Sequence, residues 1–400
     1  MLAFNFDIIY FTINIFLLYV FYHAGQEISR GKNYWKYAIL CIIAFTIVLG
    51  LRYGRGNDYF HYVDIYVYGY HEGTQLVFTW INGFMKRLGV GAHYIFLFYS
   101  FIEVVCAMIF LKRYSPYAQY LLPLFLIATI VFNEYQIRQA LGYSFSYLCL
   151  DRLFEIKQKV LKKENIKPIG LAVLYFIIAY SIHSVCGYML IIMIGLYVFY
   201  RHTIPVIISI PVLLFSTYFF SEWFDFGWLN LILNQFAAED ERMRLYIEHS
   251  DKWFSAEGME DKYKRNAIVL VAEMLGTISL YILGSKTINR FYKSADAIAM
   301  YNFFVIGSIM QNAFRQLELL NRIGGDFALF WFFPLSLVLY HKKQLYSILI
   351  DKKDVVTSLI KPFINKNTYK FLVVCLLWFV YNFLKYLFMR GEMTKFLWDI

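Results

Sequence analysis

The run WKYAILCIIAFTIVLGLRYGRGNDYF, Trp35–Phe60, stays apolar for about the thickness of a bilayer and then turns charged. Between Tyr34 and Leu51 the sole charged residue is Lys36, near the start. A helix over that stretch is about 27 Å long at a rise of ~1.5 Å per residue, which suits a membrane crossing. Directly after it come Arg52, Arg55 and Asp58, interleaved with Gly54 and Gly56 and followed by Tyr59, Tyr62 and Tyr66. An Arg beside hydrocarbon is costly unless it snorkels, pairs or meets water. Two explanations stand. Arg52 pairs with Asp58 at a helix end, or the guanidinium groups bind an anion beside a base. Guanidinium grips phosphate oxygens bidentately and stays charged at any working pH. The glycines admit close backbone approach, and Asp58 can take a proton from an attacking hydroxyl.

The rest of the chain agrees with a membrane class. Its 400 residues are 60% hydrophobic and 16% charged, where a soluble chain is about 45–50% apolar and about 25% charged. Apolar segments fall near 3–23, 34–51, 92–111, 117–133, 136–150, 168–182, 184–200, 204–220, 266–284, 297–314, 325–340 and 370–389. This predicts an all-α polytopic integral membrane protein of about twelve transmembrane helices, one transmembrane domain over residues 1–400. Pro168–Tyr200 is too long for one untilted helix, and SIHS (Ser181–Ser184) predicts a break there. The N-terminal run lacks a basic leader and a cleavage site and reads as a first spanning helix.

Cys41, Cys106, Cys149, Cys186 and Cys375 each fall in an apolar run without CxxC spacing, so they read as packing residues. No zinc or nucleotide motif occurs, and no metal or cofactor is expected. The net charge of +10 is explained by basic loops on one membrane side, not by a nucleic-acid partner. When the spans alternate, the larger share of Lys and Arg falls in one set of loops. The positive-inside rule places that set in the cytoplasm and both termini outside. Arg52, Arg55, Asp58, Arg138, His183, Arg315 and Arg322 then all lie at the outer face. Two external segments stand out. Residues 52–91 contain TQLVFTWINGFMKRLGVG, helical spacing that predicts an interfacial helix on the bilayer. Residues 221–265 mix charges and aromatics and predict a small helical cap.

Three further stretches carry candidate chemistry. In VFNEYQIRQALGYSFSY (Val131–Tyr147), Arg138 and Gln139 sit one turn into an apolar helix, with Asn133 and Glu134 in the turn before it. Glu134 either pairs with Arg138 at i, i+4, or Arg138 and the helix N-terminus share a bound anion. His183 lies in the predicted break; broken helices at membrane depth line protein or a wet cavity. In NAFRQLELLNRIGGDF (Asn312–Phe327), the spacing places Arg315 and Arg322 on one helix face, ended by Gly324 and Gly325. These form either an Arg–Glu–Arg ladder through Glu318 or a second phosphate clamp. Several arginines, a carboxylate and a histidine on one face suit a lipid carrying a polyanionic head group.

LRYGRGNDYFHYVDIY, FNEYQIRQALGYSF, IHSVCGYMLII and LNRIGGDFALFWFFP, in this order, resemble the motifs of the EpsG family of Wzy-like exopolysaccharide and O-antigen polymerases. The resemblance covers roughly residues 35–340. Arg55, Asn57 and Gly142 depart from its usual pattern, which has a neutral residue, Thr and Ala there. The resemblance implies a GT-C-type membrane glycosyltransferase with interfacial helices, working on the outer face of the bacterial cytoplasmic membrane. Its donor and acceptor would be undecaprenyl-diphosphate-linked oligosaccharides, and a chain-length regulator and a flippase its partners, with membrane lipids around it. Arg52, Arg55, Arg138, Arg315 and Arg322 would hold the diphosphate leaving group. Asp58 or His183 would be the general base, and Tyr59, Tyr62, Asn133 and Gln139 would contact substrate. The rivals are a transporter or flippase of lipid-linked sugars and a membrane acyltransferase using His183. No second copy of the Arg–Gly–Asp–Tyr segment supports a two-halved transporter.

Overall fold

A computed structural model of the protein describes residues 8–56, 58–69, 75–156, 163–220, 267–315, 318–342, 368–388 and 395–396. The expected cap at 221–265 lies outside the described residues. The chain forms two compact units, residues 1–200 with 379–400, and residues 201–378. Among the described residues every element is helical except one two-residue strand pairing.

In the first unit α1 (Ile8–Ser29) packs against α2 (Tyr34–Gly50) and α6 (Ala118–Tyr135). α2 packs against α5 (Ile95–Leu111), and α5 against α7 (Ile137–Glu155). α7 lies along α8 (Ile166–Ile182), which is followed by α9 (Ser184–Phe199). Between α2 and α5 come β1 (Arg52–Tyr53), α3 (Tyr59–Tyr68) and α4 (Leu76–Arg87). β1 pairs antiparallel with Lys395–Phe396.

The sequence explains the joints. Asn33 caps α2 by accepting from the Lys36 amide (3.2 Å). α2 can lie close on α5 because Gly50 has no side chain; a Cβ there would stand 2.6 Å from the Leu97 Cα. α5 and α6 are parted by a 3-10 stretch, Lys112–Tyr117, containing Pro116 and a kink at Tyr114, where the apolar pattern also breaks. The expected break in Pro168–Tyr200 falls at His183, which is extended (φ −152°, ψ 113°) between α8 and α9. Gly187 lets α9 turn back over α8, since a Cβ there would meet the Tyr180 ring at 2.5 Å. At the far end of α7 from Arg138, Arg113 pairs with Asp151 (3.0 Å).

In the second unit α10 (Val206–Phe215), α11 (Ala267–Phe291), α12 (Ala295–Ala313), α13 (Glu318–Ala328) and α14 (Phe332–Tyr340) are the main helices. The last helix, α15 (Thr368–Phe388), ends in the first unit. Two expectations are corrected here. Arg315 and Arg322 do not share a helix face, because α12 ends at Ala313 and Arg322 belongs to α13. Gly324 and Gly325 do not end a helix; α13 runs through them to Ala328. Gly324 serves close packing: a Cβ on it would lie 2.5 Å from the Gln311 amide nitrogen of α12. Gly307 of α12 does the same against Ala328.

Among the described residues five stretches are long and apolar enough to cross a membrane: Ile8–Ser29, Ile95–Tyr135, Lys163–Ile182, Ala267–Phe291 and Leu320–Tyr340. Tyr34–Gly50, Ser184–Phe199 and Val206–Phe219 are apolar but shorter. All five cysteines are unbridged and buried, as packing residues would be.

Candidate functional site

The Gly-rich loop after α2 is folded inward onto the joint between α6 and α7. Gln136 (φ −108°, ψ 53°) makes that joint an elbow. Asn133 and Glu134 therefore close α6, where the sequence had suggested a turn. Gly56, at φ +96°, brings the loop backbone against the elbow: a Cβ would stand 2.3 Å from the Glu134 carbonyl oxygen. The side chains lock the same contact. Arg55 pairs with Glu134 (3.0 Å), and both are almost wholly buried, at 1% and 2% exposure. Arg55 also donates to the Val48 carbonyl (2.9 Å) and lies over the Tyr10 ring (4.9 Å). Tyr10 donates to the Glu134 carboxylate (3.3 Å). Glu134 thus has Arg55 as an ion-pair partner, a contact its spacing to Arg138 does not foretell.

Arg52 is equally buried, at 1% exposure. Its Nη1 points to the Asn133 carbonyl (3.4 Å), and its guanidinium lies over the Phe96 ring (5.3 Å). Its Nε–H finds no acceptor among the described residues. Burial pulls the Arg52 pKa below its ordinary value, while the charges of Glu134 and Glu103 oppose that pull. Glu103 is itself buried on α5, its Oε2 without a partner among the described residues, one turn beyond the Ser100 hydroxyl, likewise without one there. A buried polar group without a partner costs about 1–3 kcal/mol, so this face of α5 is dear to maintain.

Asp58 does not pair with Arg52. It stands half-buried before the first residue of α3, makes no capping hydrogen bond, and forms no ion pair among the described residues. A carboxylate there is stabilised by the helix N-terminus and stays available. The next residue, Tyr59, is fully buried, stacks on Phe96 (4.4 Å between centroids) and shares a hydrogen bond with His93 Nδ1 (2.9 Å). Burial pushes the Tyr59 phenol well up, and Arg52 counteracts part of that. Tyr62 is also packed, with Arg138 lying over its ring and that of Phe78, at 5.9 Å each.

Arg138 is half-buried in the first turn of α7. One turn further along the same face is Gly142, and against it lies the α8–α9 break. A Cβ on Gly142 would meet Cys186 Sγ at 2.9 Å, the Ala179 carbonyl at 3.3 Å and His183 Cβ at 3.4 Å. His183 therefore faces the Arg138 side of α7, one turn away. The Gln139 carbonyl accepts from Cys186 Sγ (3.5 Å), which fixes the same seam.

The first unit thus gathers Arg52, Arg55, Asp58, Tyr59, Tyr62, Asn133, Arg138, Gln139 and His183 around the loop, the elbow and the helix break. Arg315, half-buried just beyond α12, and Arg322, exposed on α13, belong to the second unit. Glu103, His93 and Gly142 take part in this constellation, and sequence reading gave them no role. Glu103 and Ser100 carry a legible signal, polar residues three apart within an apolar run, whereas His93 and Gly142 depend on tertiary placement. No group of three or more His, Cys, Asp or Glu able to hold a metal occurs among the described residues.

A family model described as the EpsG family matches residues 35–351, most of the chain and all the stretches that build this site. No curated protein and no solved structure matches it.

Proposed function

The chain belongs to the EpsG family, and on that premise we propose that it is a polysaccharide polymerase acting on lipid-linked oligosaccharides. The substrates are undecaprenyl-diphosphate-linked repeat units at the outer face of a bacterial cytoplasmic membrane. The architecture that fits this role is a GT-C-like bundle of about twelve spans, the shorter apolar helices included, with α4 lying on the bilayer. A hydroxyl of one repeat attacks the anomeric carbon of the chain carried by another lipid. The bond from that carbon to the diphosphate oxygen breaks, the diphosphate leaves with the electron pair, and the hydroxyl proton passes to a base.

Arg52 and Arg138 are the cations we assign to the departing diphosphate. Among the described residues Arg52 has a buried donor without an acceptor, which a phosphate oxygen would satisfy. Arg55 is already neutralised by Glu134, so its share is to hold the loop in place. Asp58 is the assigned base, and His183 orients the acceptor. Asn133 and Gln139 contribute carbonyls to the frame, and Tyr59 and Tyr62 form the wall behind Arg52 and Arg138. The carrying observation is the arrival of Arg52, Asp58, Arg138 and His183, from three stretches of chain, in one unit.

The direct test supplies purified protein with a synthetic diphosphate-lipid oligosaccharide and looks for a ladder of longer products. A ladder supports the proposal. Binding or translocation of the lipid without elongation would favour a transporter instead.

Gly142 gives a sharper check. Gly142→Ala forces the α8–α9 break off α7, while the added helix propensity offsets part of the cost, about 1 kcal/mol. Ladder formation is expected to fall about tenfold or more, because His183 is displaced, with the thermal midpoint little changed. Removing the obstructing sulfur in Gly142→Ala/Cys186→Ala is expected to restore most of the activity. Unchanged activity in Gly142→Ala would remove His183 from the mechanism.

A further inference from the structure

The helix α3 has two unlike faces. Tyr59, Tyr62, Ile65 and Tyr66 point inward and are buried. Phe60, His61, Asp64, Val67 and Tyr68 are exposed. Of these, Phe60, Asp64 and Tyr68 recur every four residues and form one stripe, aromatic, carboxylate, aromatic, about 12 Å long. Phe60 is 49% and Tyr68 68% exposed, and Asp64 has no ion pair among the described residues.

The stripe is continuous with the site. Phe60 packs edge-on against Tyr53 (5.6 Å) and Tyr59 (5.2 Å). It also fills the space left by Gly54, where a Cβ would stand 3.3 Å from its ring. One end of the stripe therefore rests on the strand that carries Arg52, and the other end lies away along α3.

Its chemistry differs from that of the neighbouring helix. α4 exposes Leu76, Trp80 and Phe84 at the same spacing, then Leu88, with Lys86 and Arg87 at its end. That stripe has no carboxylate and suits an anionic lipid surface. The segment 58–69 has no Lys or Arg and carries Asp58 and Asp64. A carboxylate set between two rings is disfavoured both in hydrocarbon and beside anionic head groups. It suits a sugar chain, whose apolar ring faces lie on flat aromatic surfaces and whose hydroxyls donate to a carboxylate.

We propose that the outward face of α3, Phe60–Asp64–Tyr68, is a glycan-binding platform that receives the sugar chain whose diphosphate end meets Arg52. What the glycan is attached to rests on the polymerase reading; its binding to α3 does not.

The test uses full-length protein in lipid nanodiscs. The probes are water-soluble oligosaccharides of one and two repeat units, released by mild acid from the polysaccharide of the host cell. Binding is followed by saturation-transfer NMR and titration. The wild type is expected to bind both, the longer more tightly. Phe60→Ala and Tyr68→Ala are each expected to weaken binding about fivefold or more, and Asp64→Asn about tenfold. Phe60→Trp and Tyr68→Phe keep a ring and are expected to retain it, and Phe84→Ala in α4 to have no effect. Asp64 and Tyr68 are exposed, so their variants keep the wild-type thermal midpoint; Phe60→Ala also gives up packing on Tyr53 and Tyr59 and lowers it modestly, which Phe60→Trp does not. No binding by the wild type, or equal binding by all variants, overturns the proposal; in the latter case the stripe faces lipid. A product ladder left unchanged by the α3 variants would sink the platform and spare the polymerase. Probe binding that depends on α3 without any ladder would do the reverse.

Discussion

Replacing Asp58 by Asn is expected to slow polymer growth by about 10²- to 10⁴-fold while leaving affinity for the diphosphate-lipid substrate within about threefold. The substitution keeps the size and hydrogen-bonding capacity of the side chain but removes its ability to take a proton. As the new glycosidic bond forms, the attacking hydroxyl becomes acidic, and a base within reach must receive its proton. Asp58 meets the requirement structurally. It is half-buried at the start of α3, without a capping bond and without an ion pair among the described residues. A carboxylate held in a salt bridge would be a poorer base. Removing a negative charge near Arg52 does nothing to weaken the grip on a polyanion, so a loss in turnover with binding retained is the signature to look for. Activity within tenfold of wild type would place the base elsewhere, with His183→Gln the next variant to assay.

The site was legible in the sequence to the extent that its residues break a local pattern. Arg52, Arg138 and His183 each interrupt an apolar run, and a charge or a break at that depth needs a reason. The helix break at His183 followed from the length of Pro168–Tyr200 and the polar SIHS interruption within it. Partnerships were less legible. Glu134 sits four residues before Arg138, and helical spacing alone favours that pair. The fold also brings Glu134, just before the elbow at Gln136, to Arg55, a residue far off in sequence that only the folded loop delivers. Glycines misled for the same reason. Gly324 and Gly325 look like a helix end, but a glycine inside a helix also admits a close neighbour, and there the neighbour is Gln311. The tyrosines after Asp58 alternate between wall and surface with the helical period, so Tyr59 and Tyr62 are packed while Phe60 and Tyr68 are open. Burial of one face could be read from sequence only with the position of α5 already known.

Breaking the buried pair should bring the largest loss of stability. Glu134→Ala leaves Arg55 charged and enclosed, and Arg55→Met leaves Glu134 so. Removing one partner of such a pair costs about 3–5 kcal/mol, because the survivor stays buried without the charge that pairs with it. Both variants are expected to melt at markedly lower temperature and to lose the product ladder, since the loop that holds Arg52 and Asp58 is anchored there. The double variant Arg55→Met/Glu134→Met separates anchoring from charge. Two apolar side chains of similar length can fill the space beside Tyr10 and Val48 without desolvating ions, and such replacements are often neutral or stabilising. The midpoint should therefore recover. If Arg55 only holds the loop, ladder formation should recover with it. Recovery of the fold with the ladder still absent would show that the Arg55 charge itself meets the diphosphate, and the division of labour among Arg52, Arg55 and Arg138 would have to be redrawn.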